Sequence, residues 1–344
     1  MKKLLLLLVL ALPAVAHAAS RWATDILGPE FEYTYVTQPD DYAGPVRSTV
    51  VRMRADTARS VAALYIHGFN DYFFQADMAR EFARHGYAFY AVDLRKYGRS
   101  LMEDQRRFQA RDLSEYFADI DSALAIIAAD GIDRVVLDGH STGGLIASLY
   151  MARHPHPAIR AMVLNSPFLD WNQSKIQERI LIPTVRTLAP LMPGLNIPQG
   201  ASDLYARSLL RRYGGEWDYD TTWKLVHSPA VEASWIAAID AAQDVVQRDP
   251  DIQIPILVMH SDHTFTKDDP DSLSRRCDVV LDVADIRTYG RRLGPDVTVV
   301  SVAGGLHDLV LSAPAVRAAL YTYLFDWLDR RFISTPTRGC RWRW

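Results

Sequence analysis

Cysteine is almost absent: only Cys277 and Cys340 occur in 344 residues, so at most one disulfide can form and the fold must rest on a packed core. Excess charge is missing as well. The formal net charge is -3, and the Lys and Arg residues are scattered rather than gathered in a stripe, which removes the electrostatic ground for a nucleic-acid partner. No G-x-G-x-x-G, no phosphate loop with its lysine and no helical His-x-x-x-His pair is found, so no nucleotide cofactor or helix-borne metal site is expected. Internal repeats and low-complexity segments are lacking too.

Long apolar runs are confined to the N-terminus. Lys2 and Lys3 precede an unbroken run from Leu4 to Leu12, and Ala16-His17-Ala18 offers a small-x-small cleavage site. This pattern predicts a secretory signal peptide over residues 1–18 and hence a secreted or periplasmic protein. With Pro13 and His17 the run falls short of the roughly 20 apolar residues a membrane span needs. Removal after Ala18 leaves roughly 325 residues, 49% of the whole chain being apolar, enough for one large α/β domain with an insertion.

What is present centres on Val135-Val136-Leu137-Asp138-Gly139-His140-Ser141-Thr142-Gly143-Gly144. A β-branched apolar run meets G-x-S-x-G, and a helix-compatible run from Leu145 to Arg153 follows, which predicts strand, sharp turn and helix. Gly139 and Gly143 give the turn the room it needs, and Ser141 stands at its tip beside the N–H groups of the following helix. Those features point to a nucleophile. A solvated serine in a glycine turn is the plainer alternative.

Around this motif the chain alternates strand and helix. Phe31–Val36 and Val46–Met53 read as an antiparallel pair joined through a Pro- and Gly-containing turn. Ala62–Ile66, Tyr87–Val92 and Ala161–Leu164 read as strands buried on both faces. Helices are expected over 75–85, over 113–127 with Asp112 as N-cap and Gly131 as stop, over 231–247, over 283–291 and over 313–331. Strands at Ile256–Met259 and Val297–Val302 complete the order. It calls for an α/β fold, a mostly parallel sheet of about eight strands with helices on both faces.

Between Phe168 and Ser228 the alternation stops. The predicted division is therefore a core over 19–167, an insertion over 168–228, a second core segment over 229–333 and an aperiodic tail over 334–344. The insertion is too long for a plain loop. It reads either as a cap over the carboxyl ends of the strands, where ligands of open α/β sheets bind, or as a helical decoration with its own small core.

A serine hydroxyl needs a base within hydrogen-bond reach, itself held by a carboxylate. His307 follows the last predicted strand and Gly304-Gly305, which places it at the same sheet edge as Ser141. Asp262, directly after the preceding strand, is the expected acid, and Asp278 is the rival. Asp282 reads as a helix N-cap. The oxyanion donors expected are the backbone N–H groups of Thr142 and of Phe69 in His67-Gly68-Phe69. His260, Asp262 and His263 lie too close in sequence to converge on one metal ion, so no metal is expected.

Taken together, His67-Gly68-Phe69-Asn70-Asp71, Asp93-Leu94-Arg95-Lys96-Tyr97-Gly98-Arg99-Ser100, the Ser141 motif and Gly304-Gly305-Leu306-His307-Asp308 resemble the α/β-hydrolase fold family. Within it they are similar to the branch of monoacylglycerol lipases, lysophospholipases and serine-aminopeptidase-like hydrolases. The resemblance implies a Ser-His-Asp triad, no cofactor, a cap inserted after the sixth strand and an ester or lipid substrate with its acyl chain under that cap. Two departures stand out. Many relatives carry Gly-x-x-Asp after the seventh strand, where this chain has His260-Ser261-Asp262, one residue shorter. Arg95, Lys96 and Tyr97 replace part of a glycine-rich turn.

Carboxylic-ester hydrolysis is the leading expectation. An aminopeptidase would need an acidic pocket, for which Glu216, Asp218 and Asp220 are candidates, and a hydrolase scaffold kept only for binding is the reading of another class. Export to an oxidising compartment would favour a Cys277–Cys340 disulfide. The alternative is two thiols and an Arg-Trp-Arg-Trp end in transient contact with a membrane or micelle surface.

Overall fold

The computed structural model describes residues 22–54, 60–173, 177–198, 203–248, 250–266 and 275–332. The expected signal peptide, the tail over 334–344 and Cys340 with its expected bond to Cys277 lie outside the described residues.

The sheet has nine strands. In chain order they are β1 (Ala23–Asp25), β2 (Gly28–Asp41), β3 (Gly44–Met53), β4 (Ala62–Ile66), β5 (Ala88–Asp93), β6 (Val135–His140), β7 (Ile159–Asn165), β10 (Ile256–Ser261) and β11 (Val297–Val302). A separate two-stranded pair joins β8 (Asn196–Ile197) to β9 (Val231–Glu232). Across the large sheet the order is β1-β2-β3-β5-β4-β6-β7-β10-β11. The first three strands run antiparallel to their neighbours, and the six from β5 to β11 are parallel. The sheet begins one strand earlier than the sequence pattern suggests. β1 is only three residues long, too short to show a period of two.

Both faces of the parallel region are covered, which is why β4, β5, β6 and β10 are buried at every residue, while the edge strand β11 is largely half-buried. Along β4, Ala62, Leu64 and Ile66 join one buried cluster and Ala63 and Tyr65 the other. The first cluster receives α2 (Phe117–Ala129), α3 (Thr142–Arg153) and α6 (Ala233–Gln247) through Ile120, Leu124, Leu145, Leu149, Ile236 and Ile239. The second receives α1 (Ala76–Arg84) and α8 (Pro314–Phe332) through Met78, Phe82, Leu320 and Leu324. α7 (Val283–Gly290) begins at Asp282, whose side chain accepts the N–H of Ala284 as expected of an N-cap.

Between β7 and α6 the chain leaves the sheet. It makes a π-helical turn over Gln177–Leu181, α4 (Ile182–Leu188), β8 and α5 (Leu204–Leu209) before β9 returns it. α4 turns Ile182 and Val185 inward, while Ile180, Leu191 and Met192 are 64%, 80% and 52% exposed.

The Asp93–Ser100 turn is a buried ion network. Arg99 bonds both Asp25 and Asp93, Arg95 bonds Asp119, and Lys96 pairs with Asp41. Asp93 also accepts the backbone N–H groups of Phe73 and Arg99. This turn is structural: its cations are consumed by carboxylates from β1, β2 and α2 and do not line the cavity beside Ser141.

Candidate active site

Ser141 follows β6 and precedes α3 with φ 53° and ψ -119°. A non-glycine residue at positive φ is strained, and such strain is tolerated where the surroundings over-determine it. They do so here. The Ser141 N–H donates to the Asn165 carbonyl at 3.0 Å, and its own carbonyl accepts from Gly144, Leu145 and Phe168. Tight packing explains the glycines: a Cβ on Gly143 would stand 2.3 Å from the Ile66 carbonyl oxygen, and one on Gly139 would meet the Gly143 carbonyl oxygen at 2.7 Å.

His307 reaches this turn from the loop after β11. Its Nε2 lies 3.0 Å from Ser141 Oγ and its Nδ1 2.9 Å from Asp278 Oδ2. Ser141, His307 and Asp278 are all buried. The expectation that Asp262 would meet His307 is corrected by this geometry. Asp262 is half-exposed, and its Oδ1 accepts the Gly304 N–H at 3.1 Å and pairs with His263. It locks the loop after β11 to the loop after β10. Asp278 comes back to the site because its backbone forms a bridge with Thr264, with Phe265 N–H donating to the Asp278 carbonyl and Asp278 N–H to the His263 carbonyl. Its Oδ1 accepts the N–H groups of Val280 and Leu281, both at 2.8 Å. That leaves Oδ2 for His307.

Phe69 and Thr142 flank Ser141 in the same cavity. Gly68 is so close to the nucleophile turn that a Cβ there would stand 3.0 Å from Ser141 Cβ. The backbone N–H groups of Phe69 and Thr142 have no acceptor among the described residues. The Phe69 ring is fixed between Phe108 and Trp235, with centroids 5.0 and 4.7 Å away. Behind it His67 is buried, its Nδ1 donating to the Gly68 carbonyl and its Nε2 accepting the Leu94 N–H. Burial lowers its pKa and keeps it neutral.

The cavity holds about 230 Å³. One wall is apolar, built from Phe69, Phe168, Trp171, Trp235, Val280 and Leu281, and the other end carries Asp71, His140, Tyr205 and Lys224. Lys224 Nζ bonds Asp71 at 3.0 Å, and Asn70 exchanges two hydrogen bonds with the backbone of Leu225. These contacts fasten residues 224–225 to the His67-Gly68-Phe69 loop. Sequence reasoning missed Lys224 because its partner lies over 150 positions away.

Glu216, Asp218 and Asp220 do not line this cavity. Glu216 pairs with Arg317, Asp218 with Arg211, and Asp220 caps Thr222. His260, Asp262 and His263 do not converge either. Among the described residues Asp71, His140 and Asp308 each bring a ligand atom within 4.8 Å of the others. Asp71 already carries the Lys224 ammonium on Oδ1 and Asp308 two side-chain amides, while Asp71 Oδ2 is buried without a hydrogen-bond partner among the described residues. Burial also lowers the pKa of His140, whose ring centroid is 4.9 Å from that of His307.

Asp138, at the same sheet edge, has its pKa pushed up to about 8 by burial and then by the charge of Asp308. A carboxyl raised in the folded state stabilises the fold below its unfolded pKa, and that contribution is lost as pH climbs toward the folded value. Between pH 4 and pH 8 the native protein should therefore lose stability relative to Asp138→Asn. Urea unfolding at pH 5 and pH 8 should show a smaller drop for the variant. Equal drops would mean that Asp138 is ionised in the fold.

Residues 58–312 match the profile of the family described as Hydrolase_4, serine aminopeptidase, S33. The chain belongs to this family of α/β-hydrolases. Among curated proteins, the AB hydrolase superfamily protein YisY of Bacillus subtilis (strain 168) is 33% identical over 105 residues, which span 30% of this chain and 36% of that relative's length. Among solved structures, a soluble variant of monoglyceride lipase from Saccharomyces cerevisiae, in complex with a substrate analog, superposes with a TM-score of 0.63 at 17% identity, covering 87% of this chain and 95% of that one. Monoacylglycerol lipase from Paleococcus ferrophilus gives 0.61 at 17% identity over 81% and 98%. At that identity the two likenesses speak to the fold.

Proposed function

We propose that the protein is a serine hydrolase that cleaves carboxylic esters through an acyl-enzyme on Ser141. The observation that carries this reading is the unbroken chain Ser141 Oγ, His307, Asp278 at 3.0 and 2.9 Å. His307 Nε2 takes the Ser141 proton as Oγ attacks the ester carbonyl, and Asp278 holds Nδ1–H and stabilises the imidazolium. The oxyanion faces the N–H groups of Thr142 and Phe69, each such donor being worth about a hundredfold or more in rate. Collapse returns the proton from His307 to the leaving alcohol. Water then enters by the same route, and the acid departs.

The apolar wall favours an acyl chain. Among the described residues the one carboxylate lining the cavity, Asp71, is matched by Lys224, which weighs against the aminopeptidase reading. In this account residues 168–228 act as the cap, since Phe168, Trp171, Tyr205 and Lys224 all line the cavity. The exposed Ile180, Leu191 and Met192 would rest transiently on a membrane or micelle surface that holds the substrate. With the expected signal peptide, the site of action is secreted or periplasmic.

The test is a panel of p-nitrophenyl esters, acetate to dodecanoate, beside aminoacyl p-nitroanilides. Esters should be turned over with kcat/KM at least about a hundredfold above any anilide, a gap of about 2.7 kcal/mol. Turnover of anilides alone would move the protein to the peptidase class, and turnover of neither would favour a binding scaffold.

A further inference from the structure

The two reacting side chains stand on loops that the sheet does not join. Ser141 follows β6 and His307 follows β11, and β7 and β10 lie between those strands. The link is made by one residue at the end of β7, Asn165. Its backbone carbonyl accepts the Ser141 N–H at 3.0 Å and contacts His140 Nδ1 at 3.2 Å. Its side chain turns the other way. Nδ2 donates to Asp308 Oδ1 at 2.7 Å, and Oδ1 accepts the Leu309 N–H at 3.1 Å. Asp308 is the residue after His307, and its Oδ2 accepts from Gln75 Nε2 at 3.0 Å, at the start of α1. Asn165, Asp308 and Gln75 are 3%, 0% and 1% exposed, and none lines the cavity.

Resting on the serine-hydrolase reading above, we infer that Asn165 is a positioning residue that, through Asp308, clamps the His307 loop against the nucleophile turn and so sets the Ser141–His307 distance. The position demands an amide. Its two ends must donate to a carboxylate and accept from a backbone N–H at once, and both partners are buried. An aspartate would set carboxylate against carboxylate. An alanine would leave the buried Leu309 N–H without its partner and Asp308 Oδ1 with the Val310 N–H alone. Asp278 orients His307 from the far side, so without Asn165 the ring would keep its tautomer and lose its distance to Ser141. Misplacing a catalytic group by about 1 Å costs about a hundredfold in rate.

Asn165→Ala, the isosteric Asn165→Asp, Asp308→Ala and the double variant Asn165→Ala/Asp308→Ala are assayed on the best p-nitrophenyl ester. Their melting and their rate of labelling by a fluorophosphonate are followed alongside. The expected result is a kcat lowered about a hundredfold with KM within about twofold. Labelling should slow in parallel, and the double variant should be no worse than the poorer single one, because the two side chains form one clamp. Should Asn165→Ala fail to fold, Asn165→Asp carries the test with the same expectation. A folded variant with kcat within threefold of the parent, a loss seen in KM instead of kcat, or losses that multiply in the double variant would overturn the inference. If the parent neither hydrolyses esters nor is labelled, the serine-hydrolase reading fails instead.

Discussion

Replacing Ser141 by alanine is expected to lower ester turnover on the order of 10⁴- to 10⁶-fold while leaving the protein folded. The loss is large because Oγ is the atom that would become acylated, and removing a triad nucleophile leaves only the rate supplied by the oxyanion donors and by binding. Stability should change by no more than about 1.5 kcal/mol, the worth of one hydrogen bond. The side chain contributes a single hydrogen bond, to His307, and the unusual φ of 53° at this position is fixed by backbone contacts that alanine keeps. Residual turnover near the parent's rate would show that another group attacks the ester. A melting temperature lowered by tens of degrees would show that the serine serves the fold instead.

The second large effect separates two carboxylates. Asp278→Asn should reduce kcat about 10⁴-fold with little change in KM, and Asp262→Asn should leave kcat within about threefold of the parent. The reason lies in how Asp278 is held. Its Oδ1 accepts the Val280 and Leu281 N–H groups, so an asparagine at 278 keeps its oxygen there and turns its NH₂ toward His307 Nδ1. The ring must then accept at Nδ1 and carry its proton on Nε2, where it can no longer take one from Ser141. At 262 the asparagine retains an oxygen for the Gly304 N–H. Steady-state kinetics of the two purified variants decides the matter, and a large loss in Asp262→Asn with a small one in Asp278→Asn would reverse the assignment.

The neighbourhood of Ser141 was legible because its determinants are local. The strand–turn–helix over residues 135–153 follows from β-branched residues, glycines where a Cβ has no room, and a helix-forming run. β11 was found to the residue, and α1, α7 and α8 to within a residue or two, because apolar periodicity and caps are written in adjacent positions. Asp112 shows the limit of such signals. It is the expected N-cap, in a capping box with Glu115, yet what it caps is a 3₁₀ turn over Leu113–Tyr116, and α2 starts at Phe117.

Pairings across long separations were not legible. Val231 and Glu232 looked like the first turn of a helix but form β9 with Asn196–Ile197. Asp278 was passed over for Asp262, since position after a strand is visible in sequence whereas the Thr264–Asp278 bridge that returns the loop to His307 is not. The shortened His260-Ser261-Asp262 motif was the available hint. The Lys224–Asp71 pair and the Asn165–Asp308 clamp join residues far apart in the chain, and they emerge only once the sheet has placed their loops side by side.

Covalent labelling shows whether Ser141 is the nucleophile. The purified protein is treated with a fluorophosphonate, its intact mass is taken, and the adduct is mapped by peptide sequencing. One adduct per chain is expected, on Ser141, formed much more slowly in His307→Ala and in Asp278→Asn. An unmodified chain, or an adduct on any other residue, would contradict that role for Ser141.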